Sequence, residues 1–187
     1  MIKVRDLKES ELDFAKKLTD QEDWSNSVED WKRLFRISIP LVAYDGDNLL
    51  GVATPFDYGN LGMIGNVVVS SKHRGKGVGQ ALLKESMQRL ESCNSVRVHS
   101  NMDVISFYKD LGFMAEGMST MFRLDADMKS FQPFEIGTDD NIVPAKGYWD
   151  EILAMDLRQF GADRSQFLKE INDYIPECSF VAIGKDG

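Results

Sequence analysis

The chain has 187 residues, of which 43% are hydrophobic and 28% charged, and its 22 basic and 30 acidic residues give a net charge of −8. This composition is typical of a globular protein, its acidity argues against general affinity for nucleic acid, and no apolar run is long enough to cross a membrane. The two cysteines show no metal-ligand spacing, and the first residues lack a signal-peptide pattern. We therefore expect a soluble, cytoplasmic protein that uses no metal.

Hydrophobic periodicity and turn residues predict a series of short elements. Ser10 and Ser27 are the predicted N-caps of two helices, the second with a capping box completed by Asp30, and Gly112 stands where a left-handed C-cap belongs. In chain order the prediction is a strand over residues 2–5, helices over 10–18 and 27–35, a hairpin of 41–44 and 49–53, a strand over 62–69, a helix over 78–93, a strand over 96–99, a helix over 104–111, and an antiparallel pair over 113–116 and 120–124. This order predicts a mixed α/β layer and not an alternating doubly wound sheet.

The charge distribution predicts that the last third of the chain is a separate unit, since residues 131–187 carry a net charge of −6 and residues 1–130 a net charge of only −2. Its pattern also repeats the beginning of the chain. A strand over 141–143, a helix over 149–160 and a strand over 179–183 follow the first strand, first helix and first hairpin strand at offsets near 138. We therefore predict two domains, residues 1–128 and an incomplete second repeat over residues 129–187.

The most informative segment is a glycine-rich, basic run that joins a predicted strand to a predicted helix. Gly75, Gly77 and Gly79 leave backbone N–H groups unobstructed, and the start of the helix adds free donors and the positive end of its dipole. Four cations accompany the glycines with no carboxylate between them: Lys72, Arg74, Lys76 and Lys84. A cationic patch of this kind in an acidic protein suits a polyphosphate-bearing ligand; the alternative is a glycine-rich turn beside a solvated basic helix end.

The spacing of this run excludes two common phosphate motifs. The Rossmann fingerprint fails because Gln80 stands where its third glycine would be, and the Walker A motif fails because no Ser or Thr follows Lys76. The sequence Arg-Gly-Lys-Gly-Val-Gly after a valine-rich strand instead resembles the acetyl-coenzyme A pyrophosphate loop of the GNAT N-acetyltransferases. A later segment, with Asn101, Tyr108 and the pair Gly112-Phe113, also resembles this family, so the resemblance covers about residues 1–125.

The resemblance implies a fold and a set of cofactor contacts. The fold would be a central, mostly antiparallel, twisted sheet flanked by helices, whose fourth and fifth strands splay apart around the pantetheine arm of acetyl-coenzyme A. The backbone of the fourth strand would pair with pantetheine, the loop amides would hold the pyrophosphate, Asn101 would bond the arm and Tyr108 would face the sulfur. The implied cofactor-binding residues are Val67, Val68, Val69, Arg74, Gly75, Lys76, Gly77, Val78, Gly79, Gln80, Asn101 and Tyr108.

The implied reaction is attack of a neutral amine on the acetyl thioester. A backbone N–H near Val69 would stabilise the developing oxyanion, and Tyr108 would protonate the departing thiolate; the alternative for Tyr108 is packing on Phe113. Many members carry a Glu on the fourth strand as the base, but residues 61–69 contain no carboxylate. His99 is one candidate base, since an imidazole exchanges protons near neutral pH, although a structural histidine is an open alternative. Glu22 or Asp23 acting through water is another.

The acceptor is expected beside the connection between the first two helices, which the resemblance places at the acceptor site. Glu22, Asp23 and Trp24 lie there, and they favour a cationic amine such as a polyamine, an amino sugar or a lysine side chain. The alternative is a solvated acidic loop. The predicted function is therefore acetyl-coenzyme A-dependent N-acetylation of a small-molecule or peptide amine, or else a non-catalytic acyl-coenzyme A-binding module.

The tail carries a second, shorter resemblance. Residues 155–165 are similar to the start of the second repeat in bacterial tandem-GNAT proteins. If the strand over 179–183 lacks a hairpin partner, its open edge invites pairing with another chain, so a homodimer formed through that edge is a further hypothesis.

Overall fold

The computed structural model describes residues 1–120 and 141–184. These residues form two compact units, one made by Met1–His99 with Ala145–Ser179 and the other by the described residues among 100–144 and 180–187. The predicted domain boundary between residues 128 and 129 lies outside the described residues, so that division stays a prediction.

The predicted alternation of strands and helices is present. The strands are β1 (Lys3–Asp6), β2 (Leu41–Asp45), β3 (Asn48–Asp57), β4 (Leu61–Val69), β5 (Ser95–Val98), β6 (Asn141–Pro144) and β7 (Phe180–Ile183). The helices are α1 (Leu12–Asp20), α2 (Val28–Ile37), α3 (Val78–Arg89), α4 (Ile105–Asp110), α5 (Trp149–Phe160) and α6 (Ser165–Tyr174). In the first unit, strands β1 to β5 form one sheet in chain order, in which the first four are antiparallel and β5 runs parallel to β4. The predicted mixed α/β fold with a mostly antiparallel sheet is confirmed.

The two predicted helix caps have different outcomes. Ser27 caps α2, with its Oγ accepting the Asp30 N–H (3.1 Å) and the Asp30 carboxylate accepting the Ser27 N–H (2.7 Å), as a capping box requires. The prediction for Ser10 was wrong. A 3-10 turn over Glu9–Glu11 precedes α1, because the Glu11 carboxylate accepts the Lys8 N–H (2.9 Å) and the Glu11 N–H donates to the Lys8 carbonyl (2.9 Å).

Apolar side chains cover both faces of the five-stranded sheet. On one face α1 and α2 bury a cluster around Leu18 and the fully buried Trp31, whose indole N–H donates to Thr19 Oγ1 (3.3 Å). On the other face α3 buries Val78 and Leu82 against β2 and β3. The sheet is therefore the middle layer of three, which is why its strands carry so many apolar residues in succession.

The predicted strand over residues 113–116 is not formed. Phe113 N–H donates to the Tyr108 carbonyl (3.1 Å), and Gly112 has φ +91°, so this segment completes the left-handed cap of α4. Residues 113–120 have no regular structure, and no described strand pairs with them. The partner strand predicted over 120–124 lies almost wholly outside the described residues.

Strands β6 and β7 pair in the same register as β1 and β2. Asn141 opposes Ile183 as Lys3 opposes Tyr44, and the following three pairs keep the same offsets, 138 positions on one strand and 139 on the other. The backbone hydrogen bond that follows each pair of strands is also equivalent. Ala145 N–H donates to Ser179 O (2.9 Å), and Leu7 N–H donates to Pro40 O (2.8 Å). Both ends of α6 lie 137 positions after those of α2. The similarity between the two segments therefore extends to their hydrogen bonding.

Helices α5 and α6 pack on the rest of the first unit through aromatic and polar contacts. The ring of Phe160 meets Tyr58 edge-on at 5.7 Å between centroids, and Phe167 meets Phe56 in the same way at 6.3 Å. Asn60 Nδ2 also donates to the Gly161 carbonyl (3.0 Å). Each contact joins α5 or α6 to the end of β3 or to the turn between β3 and β4.

Gly51 is expected to be required for the approach of β3 to β4. A Cβ at this position would lie 2.7 Å from the Val68 carbonyl oxygen, so the two backbones would have to move apart. We expect Gly51→Ala to lower the free energy of unfolding by about 1–3 kcal/mol in denaturant titrations. Gly117 is the matched control, because a Cβ there would meet nothing within 4 Å. Equal stability of the two variants would contradict the expectation.

Candidate active site

The edge of β4 that faces β5 is paired over only part of its length. The parallel ladder runs from Leu61 opposite Ser95 to Ile64 opposite Val98 and then ends, while β4 continues to Val69. Along residues 65–69, no described strand pairs with this edge. Backbone N–H and C=O groups at such an edge need another partner, and an extended ligand can supply it.

A bulge occurs in β4 within this unpaired stretch. Val52 opposes Val68 and Thr54 opposes Gly65, so Asn66 and the next residue together face one residue of β3. Asn66 has φ +47°, and its Nδ2 donates to Thr54 Oγ1 (3.0 Å), a bond that holds the left-handed conformation. Neither Asn66 nor Thr54 was predicted as a site residue, because nothing in the sequence of a single strand marks the position of a bulge.

The glycine-rich loop follows β4 directly. Gly75 has φ +70°, and Gly77, the N-cap of α3, has φ +83°; a Cβ at either position would meet nothing within 4 Å. The first turn of α3 contains no acidic residue, and no side chain caps it. The loop therefore has the backbone conformation that only glycine adopts readily, and it leaves the first N–H groups of α3 without an intrahelical partner.

The basic side chains of the loop are exposed, but two of them already have partners. Lys76 Nζ donates to the Lys72 carbonyl (3.0 Å). Arg74 Nε donates to the Val69 carbonyl (3.2 Å), and the Arg74 guanidinium forms an ion pair with Glu22. Glu22, predicted as an acceptor or base residue, thus lies against a predicted pyrophosphate residue, a contact across 52 positions that the sequence does not indicate.

The other two predicted acceptor residues lie on the surface next to Glu22. Asp23 has φ +55° in the turn after α1, and the Trp24 N–H donates to the Thr19 carbonyl (3.1 Å). Trp24 is 36% exposed, so one part of its surface remains available to a ligand. His99, predicted as a base, is exposed and directly follows β5.

Asn101 and Tyr108 belong to the second unit. Asn101 precedes a 3-10 turn and accepts the Val104 N–H on its carbonyl (3.3 Å). The Tyr108 ring, on α4, packs edge-on against Phe113 (5.8 Å between centroids) and Phe107 (5.2 Å), and burial raises the pKa of its phenol. A phenol with a raised pKa is neutral at neutral pH, and it therefore carries the proton that a general acid must donate.

Strand β4 is partly unpaired, and it leads into a basic loop with exposed backbone amides at the N-terminus of α3. This arrangement is suited to a long ligand that ends in phosphates. Residues 4–113 match the sequence profile described as the Acetyltransferase (GNAT) family. The chain belongs to this family of acetyltransferases, whose members use acetyl-coenzyme A as co-substrate.

Similar proteins agree with this assignment. An uncharacterised N-acetyltransferase of Bacillus subtilis strain 168, YitH, is 25% identical over 133 residues; the match covers 71% of this chain and 45% of YitH, so the chain spans less than half of that relative. A crystal structure of a Trypanosoma brucei acetyltransferase has 25% identity and a TM-score of 0.54, covering 66% of this chain and 100% of the other. Glucosamine-6-phosphate N-acetyltransferase of Arabidopsis thaliana shares the fold at 18% identity, with a TM-score of 0.52 and coverages of 67% and 99%.

Within residues 1–120 and 141–184, no three His, Cys, Asp or Glu side chains are grouped so that they could bind a metal ion. Within the same ranges, none of the helices combines the length and the apolar character that a membrane span needs.

The raised pKa of Tyr108 can be measured. Because burial disfavours the phenolate, we expect Tyr108 to ionise above about pH 10, the usual value for tyrosine. Tyr58 is shifted in the same direction by burial. In an ultraviolet titration of tyrosinate, Tyr108→Phe should remove part of the late-titrating amplitude, and Tyr58→Phe should remove another part. The expectation is wrong if the amplitude lost in Tyr108→Phe titrates at the ordinary value.

Proposed function

We propose that this protein transfers the acetyl group of acetyl-coenzyme A to a primary amine. The observation that carries the proposal is the continuity of the unpaired β4 edge with the glycine loop at the start of α3. Together they offer the backbone groups of residues 65–69, on an edge with no described partner strand, and then the first N–H groups of α3 after the left-handed Gly75 and Gly77. This order matches the order of amides and phosphates in coenzyme A.

In this proposal β4 and the loop bind different parts of acetyl-coenzyme A. The backbone of Val67, Val68 and Val69 would pair with the pantetheine arm, and the amides from Gly75 through Gln80 would hold the pyrophosphate, with Arg74 and Lys76 adding charge. Arg74 would exchange its partner Glu22 for a phosphate oxygen. An exposed ion pair contributes only about 0–1 kcal/mol, so this exchange costs little.

The chemical step would need three further groups. A backbone N–H near Val69 would stabilise the negative charge that develops on the thioester oxygen, and such a donor contributes roughly 3 kcal/mol. Tyr108 would protonate the leaving thiolate, since its phenol carries a proton at neutral pH. For removal of the amine proton, His99 and Glu22 or Asp23 acting through water remain alternatives, and Asn101 would bond the pantetheine arm.

A non-catalytic acyl-coenzyme A-binding module is the second candidate function. The observation that favours it is the lack of a carboxylate on β4, where many members of the family place their base. In such a module the β4 edge and the loop would still bind coenzyme A, and no amine would react.

Binding and turnover experiments separate these functions. Calorimetry should detect coenzyme A binding, with much weaker binding of adenine nucleotides that lack the pantetheine arm. Release of free thiol from acetyl-coenzyme A across a panel of primary amines then tests transfer. Amine-dependent thiol release supports the enzyme, saturable binding without it supports the module, and absence of coenzyme A binding contradicts both.

Tyr108 provides a test of the chemical step. Since a placed general acid contributes roughly 10²–10⁴-fold, we expect Tyr108→Phe to lower turnover at least about tenfold with little change in acetyl-coenzyme A affinity. The retained phenyl ring keeps the packing on Phe107 and Phe113, so a melting curve like that of the wild type is the control. Unaltered steady-state kinetics would remove Tyr108 from this role.

We also propose that residues 129–187 contain the beginning of a second GNAT-like repeat. The common register of β6–β7 and β1–β2 supports this proposal, as does the constant offset between α2 and α6. In the first repeat β2 also pairs with β3, whereas no described strand pairs with the other edge of β7. A homodimer formed through that edge remains a hypothesis, which sedimentation of the chain with and without residues 131–187 can test.

A further inference from the structure

A small cleft lies between α2 and α6. Its volume is about 190 Å³. Four apolar side chains line it, Leu34 and Ile37 from α2 and Phe167 and Ile171 from α6, and Asn66 of the bulge is also part of the lining. The cleft is therefore built partly from the C-terminal segment, although it adjoins the strand that leads to the glycine loop.

Three contacts fix α6 beside α2. The Arg36 guanidinium forms an ion pair with Glu170, and Gln166 Nε2 donates to the Arg36 carbonyl (3.4 Å). The Arg33 guanidinium lies over the ring of Tyr174, 3.4 Å from its centroid. Because these contacts hold one wall of the cleft against the other, the cleft is present before any ligand enters.

The charged groups around the cleft are already engaged. The Asp30 carboxylate accepts from the Ser27 N–H and hydroxyl and pairs with Arg33, and Glu170 pairs with Arg36. A polycation would have to displace these partners, whereas an apolar group needs only the side chains that line the walls. The cleft is thus suited to the apolar part of a ligand.

The position of Asn66 connects this cleft with the proposed reaction. Asn66 directly precedes Val67, where the proposed pairing with pantetheine begins, and it lies in the bulge, where β4 has no β5 partner. Its Nδ2 donates to Thr54 Oγ1, which fixes a side chain that lines the cleft. A molecule in the cleft would therefore contact β4 at Asn66, within the stretch that β5 leaves unpaired.

We propose that this cleft binds the body of the acetyl acceptor, and that the acceptor is a primary amine with an apolar body, such as an aralkyl or branched alkyl amine. The proposal rests on the proposed transferase function and adds the substrate class and a role for α6. The volume is below the roughly 300–1,000 Å³ of pockets for drug-sized ligands, so the acceptor is small or inserts one side chain. Phe167 and Ile171 would determine specificity.

Ile171 allows the sharpest test. Its side chain is 41% exposed, so Ile171→Ala removes part of the cleft wall with little loss of core packing. The matched control is Leu157→Ala, which shortens an aliphatic side chain on α5 that is 50% exposed and does not line the cleft. Phe167→Leu is a second cleft variant, and melting curves check that every variant is folded.

The probes are 2-phenylethylamine, ethylamine and spermidine, titrated by calorimetry into the protein saturated with coenzyme A. We expect 2-phenylethylamine to bind, and we expect Ile171→Ala to weaken its binding about tenfold, as the loss of a few methylenes from an apolar pocket does. Phe167→Leu should also weaken it, Leu157→Ala should not, and ethylamine should bind too weakly to distinguish the variants. In steady-state kinetics, the KM for 2-phenylethylamine should rise in the cleft variants while the KM for acetyl-coenzyme A stays unchanged.

The outcomes separate this proposal from the proposed function. The cleft proposal is overturned if 2-phenylethylamine does not bind, if Ile171→Ala and Leu157→Ala bind it equally well, or if spermidine binds more tightly and is insensitive to both cleft variants. The last result would place the acceptor at the acidic loop of Glu22 and Asp23. Cleft-dependent amine binding without thiol release would instead support the cleft and contradict the transferase.

Discussion

Strand β4 has a partner on both edges only as far as Ile64, and the rest of the candidate site depends on this constraint. Backbone groups that leave a ladder must find other partners, and along residues 65–69 no described strand pairs with the β5 side of β4. The bulge at Asn66, fixed by its bond to Thr54, changes the direction of β4 within this stretch. Since the loop and α3 follow immediately, one segment of chain carries both the open edge and the free helix amides.

Arg74 connects the glycine loop with the end of β4 and with a segment 52 positions earlier in the chain. It bonds the carbonyl at the end of β4 and pairs with Glu22 in the connection after α1. The predicted phosphate-binding cation and the predicted acceptor loop are therefore in contact. A ligand that takes Arg74 from Glu22 would leave that carboxylate without its partner, so occupation of the loop and the charge of the neighbouring surface are physically linked.

The C-terminal segment repeats elements of the first part of the chain, and its helices also pack on that part. Its order of elements and its strand register repeat those of residues 3–45, yet α5 and α6 pack on the first unit. Amphipathic helices need an apolar surface to cover, and Phe160 and Phe167 find it at Tyr58 and Phe56, around the turn after β3. This packing gives the cleft beside Asn66 its second wall.

The sequence by itself determined the features that depend on local conformation. Three such features follow from the properties of a few neighbouring residues, and the structure has each of them. They are the capping box of Ser27, the positive φ of Gly75, Gly77 and Gly112, and the strand of β-branched residues before the loop. These features were sufficient for the fold class and the family. The helix start at Ser10 was misplaced because the Glu11 carboxylate accepts the Lys8 N–H and closes a 3-10 turn, so that α1 begins only at Leu12.

Only the tertiary structure decided how distant segments meet. Four features depend on residues that are far apart in the chain. They are the register shift that produces the bulge, the point where pairing between β4 and β5 ends, the Glu22–Arg74 contact and the packing of α6 on α2. The strand predicted over 113–116 is replaced by the cap of α4, which the Phe113 N–H closes on the Tyr108 carbonyl. Contacts of this kind depend on the free energy of the whole packed unit, and a local pattern in the sequence does not contain that information.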